Sequence, residues 1–212
     1  MKWNIENLKK FSNFIATFYN KGLIKGPVHL SGSTDNKQEK NLIKIFKKYY
    51  KKGDWIFATY RNHFAWLLSG RNPNKLVQQI IDGHSMHVYD NKFFTSAIVG
   101  GHVPIAVGVA LALKLKKSKN KVLCFLGDSA AHCGVVFESI KYSYYHKLPI
   151  IFIIEDNNRS VYTKTSDVWG IKNKDYFFNF YKKKNIIYYR YEPLYKHYGS
   201  RLEKDKNSGG LF

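Results

Sequence analysis

The chain has 212 residues, of which 44% are hydrophobic and 17% aromatic, enough for one domain with a hydrophobic core. This composition excludes a disordered chain, and no apolar run has the length of a transmembrane helix. The formal net charge of +20 suggests a protein that binds nucleic acid, but the lysines lie in many short groups without a nucleic-acid motif. A biased surface composition is therefore favoured, with an acidic partner protein as a third alternative.

The first predicted element is an amphipathic helix. Its apolar residues recur at spacings of three and four: Ile5, Leu8, Phe11, Ile15 and Phe18. Gly22 follows where this helix is expected to stop, and a second amphipathic helix is predicted from about Asp35 to Lys52. The N-terminus lacks the features of a signal peptide and only two cysteines occur, so we expect a reduced, cytoplasmic protein.

A strand, a helix and a second strand are predicted in the middle of the chain. Residues 121–126 form an apolar run, residues 132–146 have helical spacing, and residues 150–154 form a second apolar run. Two strands that are apolar throughout indicate a parallel βαβ unit. Ligands of such sheets bind beyond the carboxyl ends of the strands. The segments 127–131 and 155–160 are therefore the candidate site.

Polar side chains follow both of these strands, with Asp128 after the first and Asn157 after the second. A carboxylate and an amide oxygen from neighbouring strand ends can converge on one magnesium ion, whose other oxygens come partly from phosphate. A helix starting near Ala130 would direct its N-terminal amides at a diphosphate. The structural alternative is a helix cap followed by an ordinary loop.

The spacing of these residues resembles a known cofactor motif. Asn157 follows Asp128 by 29 residues, as in the thiamine diphosphate motif that opens with Gly-Asp-Gly and closes with Asn. Further segments match one family in order, at 26–31, 60–63, 85–87, 98–100, 103–104, 137–138 and 148–149. From Gly22 to Trp169 the chain resembles the alpha subunit of the E1 component of pyruvate, acetoin and other 2-oxo acid dehydrogenases.

This resemblance implies an α/β fold of three layers, with a mainly parallel sheet flanked by helices and a single domain over residues 1–202. The polar tail, residues 203–212, is expected to fray. The family's cofactors are thiamine diphosphate and magnesium. The implied cofactor-binding residues are Tyr60, Arg61, Ile98, Val99, Gly127, Asp128, Ser129, Ala130 and Asn157. The implied metal ligands are Asp128, Asn157 and the carbonyl oxygen of Arg159.

The resemblance also assigns roles within the site. Tyr60 and Arg61 would contact phosphate oxygens, and the carbonyl of Val99 would accept a hydrogen bond from the aminopyrimidine. His29 is the implied catalytic residue over the thiazolium. His197 is a second, in a loop at 192–200 that distantly resembles the family's active-site loop. A surface-loop histidine is the alternative interpretation of His29.

The chain departs from the family pattern at several positions. Ser129 takes the place of the second glycine of Gly-Asp-Gly, so the backbone there must tolerate a side chain beside the phosphates. Ala97 replaces a glycine, and Arg159 replaces an aromatic residue or leucine. His132 and Cys133 look like a base and a nucleophile but are interpreted as packing residues. Beyond Gly170 the family's docking and substrate-specific part is expected to be reduced or absent.

The implied reaction is decarboxylation of a 2-oxo acid or cleavage of an acyloin, with the acyl unit passed to an acceptor. In the family a beta subunit supplies the glutamate that activates the pyrimidine, and neither Glu138 nor Glu155 is expected to reach it. We therefore expect a beta-type partner in a heterotetramer, with a homodimer as the alternative, and no membrane. The rivals are a truncated, non-catalytic assembly or regulatory homologue and a basic nucleic-acid-binding protein.

Overall fold

The computed structural model describes residues 3–170 and 185–203. The sheet consists of β1 (Trp55–Thr59), β2 (Phe93–Ser96), β3 (Val122–Gly127), β4 (Ile150–Asp156) and β5 (Ile186–Arg190). The helices are α1 (Ile5–Asn20), α2 (Lys37–Tyr49), α3 (His63–Leu68), α4 (Pro73–Ile81), α5 (His102–Leu115), α6 (Asp128–Ala131), α7 (Gly134–Tyr145) and α8 (Thr165–Val168), with a 3-10 turn at Ser85–His87. Within these described ranges, no helix is both long and apolar enough to cross a membrane.

The sheet has the order β2-β1-β3-β4-β5, and every neighbouring pair is parallel. This confirms the predicted α/β fold with a mainly parallel sheet. From β1 the chain continues to β2 at one edge, whereas from β3 it continues through β4 to β5 at the other edge. The order of the strands therefore reverses between β1 and β3, the place where open parallel sheets bind their ligands.

Alternate side chains of the central strand β3 pack into two separate cores. Leu123 and Phe125 join the core formed with the first four helices. Cys124 and Leu126 face the other side, where they pack against α5 and α7. Both faces of the strand are therefore buried, which explains why its sequence is apolar throughout. The result is the predicted arrangement of three layers, with the sheet between two layers of helices.

The first helix begins and ends where the sequence predicted. The side chain of Asn4 caps its N-terminus by accepting a hydrogen bond of 2.8 Å from the backbone N–H of Asn7. At the other end Gly22 takes a φ of 69°, and the N–H of Leu23 bonds to the carbonyl of Phe18. A glycine at this left-handed position closes the helix without steric cost.

The helix predicted at 132–146 is observed as α7, Gly134–Tyr145, and a separate short helix precedes it. The short α6 ends at Ala131, and α7 begins at Gly134 after Cys133, whose backbone is extended with ψ 137°. Cys133 instead serves as the N-cap of α7, and glycine at the next position is a weak helix former. Of the helix expected to start near Ala130, only the short turn α6 follows β3 directly, and the longer α7 begins at Gly134.

Of the tail predicted to fray, Glu203 lies within the described residues, and its N–H donates to the carbonyl of Leu194 at 2.9 Å. The rest of that segment, 204–212, lies outside them.

Candidate cofactor-binding cleft

A cleft opens at the carboxyl edge of the sheet and receives residues from the ends of all five strands. It is open to solvent and lies at the edge where parallel sheets bind their ligands. Its walls are formed by Thr59, Tyr60, Arg61, Ser96, Ile98, Val99, Gly100, Gly127, Asp128, Ser129, Ala130, Glu155, Asn157, Arg159, Ser160, Val161 and Tyr191. All of the predicted cofactor-binding residues and all of the predicted metal ligands are in this set.

Asp128 is a buried carboxylate with an unused oxygen. Its residue is 5% exposed, and its Oδ2 atom has no hydrogen-bond partner. Burial, and after it the negative charge of Asp156, raises the pKa of Asp128 to about 7. A buried oxygen without a donor is costly in isolation. A divalent cation at this oxygen would offset the desolvation of Asp128 and its repulsion by Asp156, so the position fits a magnesium ion.

Asn157 lies in a loop whose shape is fixed by side chain-to-backbone hydrogen bonds. Its Oδ1 atom accepts a hydrogen bond of 3.0 Å from the N–H of Arg159. Asp156 does the same for the N–H of Asn158 at 2.7 Å, and Asn158 takes a left-handed φ of 54°. The loop therefore holds Asn157 and the backbone of Arg159 beside the end of β3. An amide oxygen, a carbonyl oxygen and one carboxylate form the hard oxygen set that magnesium prefers.

Within the described part of the chain, no group of three or more His, Cys, Asp or Glu side chains is placed to hold a metal ion. The site would therefore rely on amide, carbonyl and phosphate oxygens in addition to Asp128, as magnesium sites for phosphorylated ligands commonly do.

Ser129 fits the cleft without backbone strain. It lies in α6 and is not among the residues with positive φ, so its position does not require glycine. Its hydroxyl donates a hydrogen bond of 3.0 Å to the hydroxyl of Ser160, on the loop that carries Asn157. The departure from Gly-Asp-Gly thus adds a link between the two loops of the site.

Two glycines shape the turn that presents Ile98 and Val99. Gly100 has a φ of 73°, and a Cβ atom on Gly101 would lie 2.8 Å from Cγ2 of Ile98. A side chain at Gly101 would therefore displace Ile98. The turn leaves the side chains of Ile98 and Val99 70% and 55% exposed at the mouth of the cleft. Large apolar groups exposed in this way indicate a binding surface.

His29 is buried behind the wall of the cleft and is therefore not a surface-loop histidine. Its ring lies 4.4 Å from that of Tyr60 and 4.9 Å from that of His197, measured between centroids. His197 lines an adjoining cavity together with Arg61 and Asn157. Burial, with the nearby charge of Arg61, lowers the pKa of His29 to about 3 and that of His197 to about 4. Both imidazoles are therefore neutral at pH 7.

Arg61 joins the two segments that carry these histidines. Its Nη1 atom donates to the carbonyl of Leu30 at 2.6 Å, and its Nη2 atom donates to the carbonyl of His197 at 3.3 Å. His63, two residues further on, is fully buried, and its Nε2 atom lies 3.1 Å from the hydroxyl oxygen of Ser85. Burial lowers the pKa of His63 to about 3.

The pair His132 and Cys133 lies outside the walls of the cleft. The imidazole of His132 stacks on the indole of Trp169 with the ring centroids 5.3 Å apart. This packing agrees with the interpretation that neither residue is a nucleophile or base of the site.

Thr59, Ser96 and Tyr191 line the cleft but were not predicted from the sequence, whereas Glu155 lies in the predicted segment 155–160 without a predicted structural role. Its Oε1 atom accepts hydrogen bonds from the hydroxyl of Tyr189 and from Nε2 of Gln38. Burial raises the pKa of Glu155, and these two hydrogen bonds oppose the shift. The position of Glu155 at the end of a buried strand is visible in the sequence, but only the fold shows that the side chain of Gln38 reaches Glu155.

The chain is similar in sequence to members of one protein family. A family model described as "Dehydrogenase E1 component" matches residues 8–179. The pyruvate dehydrogenase E1 component subunit alpha of Rickettsia typhi is 32% identical over 171 residues, which cover 75% of this chain and 51% of the relative. The protein of the same description from Rickettsia prowazekii gives the same identity and coverage.

A mitochondrial pyruvate dehydrogenase E1 component subunit alpha from Dictyostelium discoideum is 32% identical over 149 residues, 66% of this chain and 38% of the relative. The chain thus spans about half the length, or less, of the curated relatives it matches. The family model nevertheless covers most of the chain, and the sheet and cleft have the features that its motif implies. The chain belongs to the dehydrogenase E1 component family.

Proposed function

We propose that this chain is an alpha-type E1 subunit that binds thiamine diphosphate and magnesium and takes part in the decarboxylation of a 2-oxo acid. One observation carries the proposal: the residues implied by the cofactor motif, although far apart in sequence, line a single cleft. The unpartnered, buried Oδ2 atom of Asp128 supports a cation at its diphosphate end. The relatives named as pyruvate dehydrogenase subunits favour a 2-oxo acid over an acyloin as the substrate.

In this proposal Asp128, Asn157 and the carbonyl of Arg159 hold the metal ion, and the N–H groups of Ser129 and Ala130 face the diphosphate. Bound thiamine diphosphate supplies a nucleophilic carbon and an electron sink for the decarboxylation.

The protein's own part in the chemistry is binding, orientation and the exclusion of water. A neutral His29 and a neutral His197 can each donate or accept a proton, and neither adds positive charge beside Arg61. His29 is buried against Tyr60, which keeps water from this imidazole. A partner over the mouth of the open cleft would shield the rest of the site from bulk water, as suits the departure of a substrate carboxylate as carbon dioxide.

The proposal includes a beta-type partner that covers the mouth of the cleft. Ile98 and Val99 form an exposed apolar surface there. Val135, which is 42% exposed, extends this surface, since its Cγ1 atom would lie 3.5 Å from a Cβ atom on Gly100. Glu155 lines the cleft, but its Oε1 atom already accepts two hydrogen bonds. A glutamate from a second subunit, in a heterotetramer, would supply the missing carboxylate. A homodimer is the alternative assembly.

Calorimetric titration of the purified chain with thiamine diphosphate, with and without magnesium, tests the binding part. We expect binding that requires magnesium and is lost in Asp128→Ala. The matched control is Asp82→Ala, because Asp82 is an exposed carboxylate at the end of α4. A chain that does not bind the cofactor under these conditions would favour the non-catalytic rival.

Activity is tested by adding a beta-type E1 subunit and an artificial electron acceptor to the loaded chain. Pyruvate and acetoin are then supplied separately as representatives of the two substrate classes. We expect turnover of the 2-oxo acid with the partner and none without it. Turnover by the chain alone would contradict the two-subunit proposal, and salt-sensitive retention on DNA in place of cofactor binding would favour the nucleic-acid rival.

A further inference from the structure

A chain of hydrogen bonds, buried at Gln38 and partly buried at Glu155, connects the segment after His29 with the end of β4. The N–H of Gly32 donates to Oε1 of Gln38 at 2.7 Å. The Nε2 atom of Gln38 donates in turn to Oε1 of Glu155 at 3.3 Å, and the hydroxyl of Tyr189 donates to the same oxygen. Tyr189 lies opposite Glu155 in the register of β4 and β5, so the sheet itself brings these two residues together.

The chemistry of this chain determines the residue type at position 38. A backbone N–H only donates, and the Glu155 oxygen here only accepts, so the linking side chain must offer an acceptor at one end and a donor at the other. A primary amide does both, and the structure fixes its orientation. A carboxylate at position 38 would face Glu155 with like charge. Gln38 is 1% exposed, so that carboxylate would also be almost wholly removed from water.

The same segment is held at neighbouring positions. Glu39, also at the start of α2, accepts hydrogen bonds from the N–H and the hydroxyl of Ser33. On the other side, Leu30 is held through its carbonyl by Arg61. The Nδ1 atom of His29, by contrast, is buried and has no hydrogen-bond partner. The position of the imidazole therefore follows from ring packing and from the backbone on both sides, since the N–H of Gly199 donates to the carbonyl of Val28 at 2.8 Å.

At the other end, Glu155 comes two residues before Asn157, and both residues line the cleft. Glu155 itself belongs to β4 and is paired with β3 and β5, so Gln38 ties the backbone at Gly32 to the strand end from which the loop with Asn157 starts. Glu155 and Gln38 thus form a side-chain connection between the strand end that leads into the Asn157 loop and the segment with the imidazole.

We propose that Glu155, acting through Gln38, is a positioning residue that couples the backbone after His29 to the loop carrying Asn157. This inference rests on the proposed function, in which Asn157 holds the metal ion. Binding at Asn157 then orders the segment from His29 to Ser33, so that the imidazole reaches its working position when the diphosphate end of the cleft is filled.

Hydrogen exchange in the segment 29–33, read by mass spectrometry on the whole chain, tests the link in the ligand-free protein. Glu155→Leu removes the acceptor, and Gln38→Glu removes the donor. We expect each to speed exchange in this segment by about tenfold or more, as loss of a buried hydrogen bond to a charged group would. Glu155→Gln keeps an acceptor oxygen and should stay within about threefold of the unmodified chain. The control Glu138→Leu removes an exposed glutamate of α7 and should leave the segment unchanged.

Addition of thiamine diphosphate with magnesium tests the coupling. We expect the cofactor to slow exchange in 29–33 in the unmodified chain and in Glu155→Gln but not in Glu155→Leu, although the metal ligands are intact in all three. The double variant Gln38→Glu with Glu155→Gln restores one donor and one acceptor, and it should recover part of the protection lost in Gln38→Glu.

Unchanged exchange in both Glu155→Leu and Gln38→Glu, each shown to be folded by circular dichroism, would overturn the inference. Equal protection by the cofactor in Glu155→Leu and in the unmodified chain would also overturn it. Failure of the unmodified chain to bind the cofactor would instead overturn the proposed function, while the ligand-free comparison would still decide whether the link holds the segment.

Discussion

The Nη1 atom of Arg61 donates a hydrogen bond of 2.6 Å to the backbone carbonyl of Leu30, 31 residues earlier in the chain. Its Nη2 atom reaches the carbonyl of His197, so one planar guanidinium holds two distant segments at the cleft. A lysine cannot form this two-pronged contact. We expect Arg61→Lys to weaken thiamine diphosphate binding by about tenfold, the effect of losing roughly one good hydrogen bond to a charged donor. Calorimetry measures it, with Arg71→Lys as control because Arg71 lies outside the cleft. Unchanged affinity would mean that Arg61 does not act at the site.

Replacement of Asp128 should separate stability from binding. At pH 8 and without magnesium, the ionised Asp128 is buried and repelled by Asp156, so Asp128→Asn should raise the free energy of unfolding by roughly 2 kcal/mol. Because the pKa of Asp128 is raised to about 7 in the folded protein, the stability gained by Asp128→Asn is complete above pH 7. The gain disappears as the pH falls toward 4, where the side chain at position 128 is neutral in both folded proteins. Urea unfolding at both pH values measures it. The magnesium-dependent binding of thiamine diphosphate should be lost in the same variant. A loss of stability at pH 8 would contradict this account of Asp128.

His63 should make the fold sensitive to acid. Its pKa is lowered to about 3 by burial, below the ordinary value of 6.5, so between these values the unfolded chain binds one more proton than the folded one. Its contribution to stability is therefore complete above pH 6.5 and is lost as the pH falls toward 3. We expect His63→Gln to reduce the slope of unfolding free energy against pH by about 1.4 kcal/mol per pH unit near pH 5. The exposed His87→Gln is the control. An unaltered slope would show that His63 is charged in the folded protein.

Restoring the family's glycine should not improve the site. Ser129 occupies a helical turn without positive φ, and its hydroxyl bonds to that of Ser160. Ser129→Gly should therefore lower the unfolding free energy by about 1 kcal/mol and leave cofactor affinity within roughly threefold. Thermal unfolding and calorimetry measure the two effects. A large gain in affinity would instead identify Ser129 as a block to cofactor binding.

Val161, on the wall of the cleft, is held in an unfavourable backbone conformation. Its φ of 58° is left-handed, which is rare for a β-branched residue. Glycine would remove this strain, of about 1–3 kcal/mol, and would cost about 0.5–1 kcal/mol of chain entropy. Val161→Gly should thus raise the unfolding free energy by roughly 1 kcal/mol in urea unfolding. Val135→Gly, which removes a valine from a helix instead, should lower it.

The part of the fold and site that is local in sequence could be predicted, and the part that depends on distant contacts could not. Strand β3 and residues 150–154 of β4 are apolar because both of their faces are buried, and this pattern is visible in the sequence. Strand β2 has four residues, of which two are buried, so its pattern is too short to distinguish from a loop.

The break at Cys133 escaped prediction for a related reason. The predicted spacing begins at His132, but the backbone of Cys133 is extended and caps α7, and His132 stacks on Trp169 outside that helix. Similarly, the link from Gln38 to Glu155 joins residues 117 positions apart, and no local pattern marks it. The strand-end residues Asp128 and Asn157 were predictable, because parallel neighbouring strands bring their carboxyl ends to one edge.

Because the cleft is formed by the ends of five strands, it is completed only when the last of these strands has been synthesised and has paired. Strands β3 and β4 are neighbours in sequence as well as in the sheet, so Asp128 and Asn157 can meet as soon as this βαβ unit folds. Tyr191 joins the cleft only after β5 has emerged and paired with β4. A ligand that binds only the finished cleft draws newly made chains toward the native state, by RT ln(1 + [L]/Kd). We therefore expect the amount of folded protein in a cell to follow the supply of the cofactor.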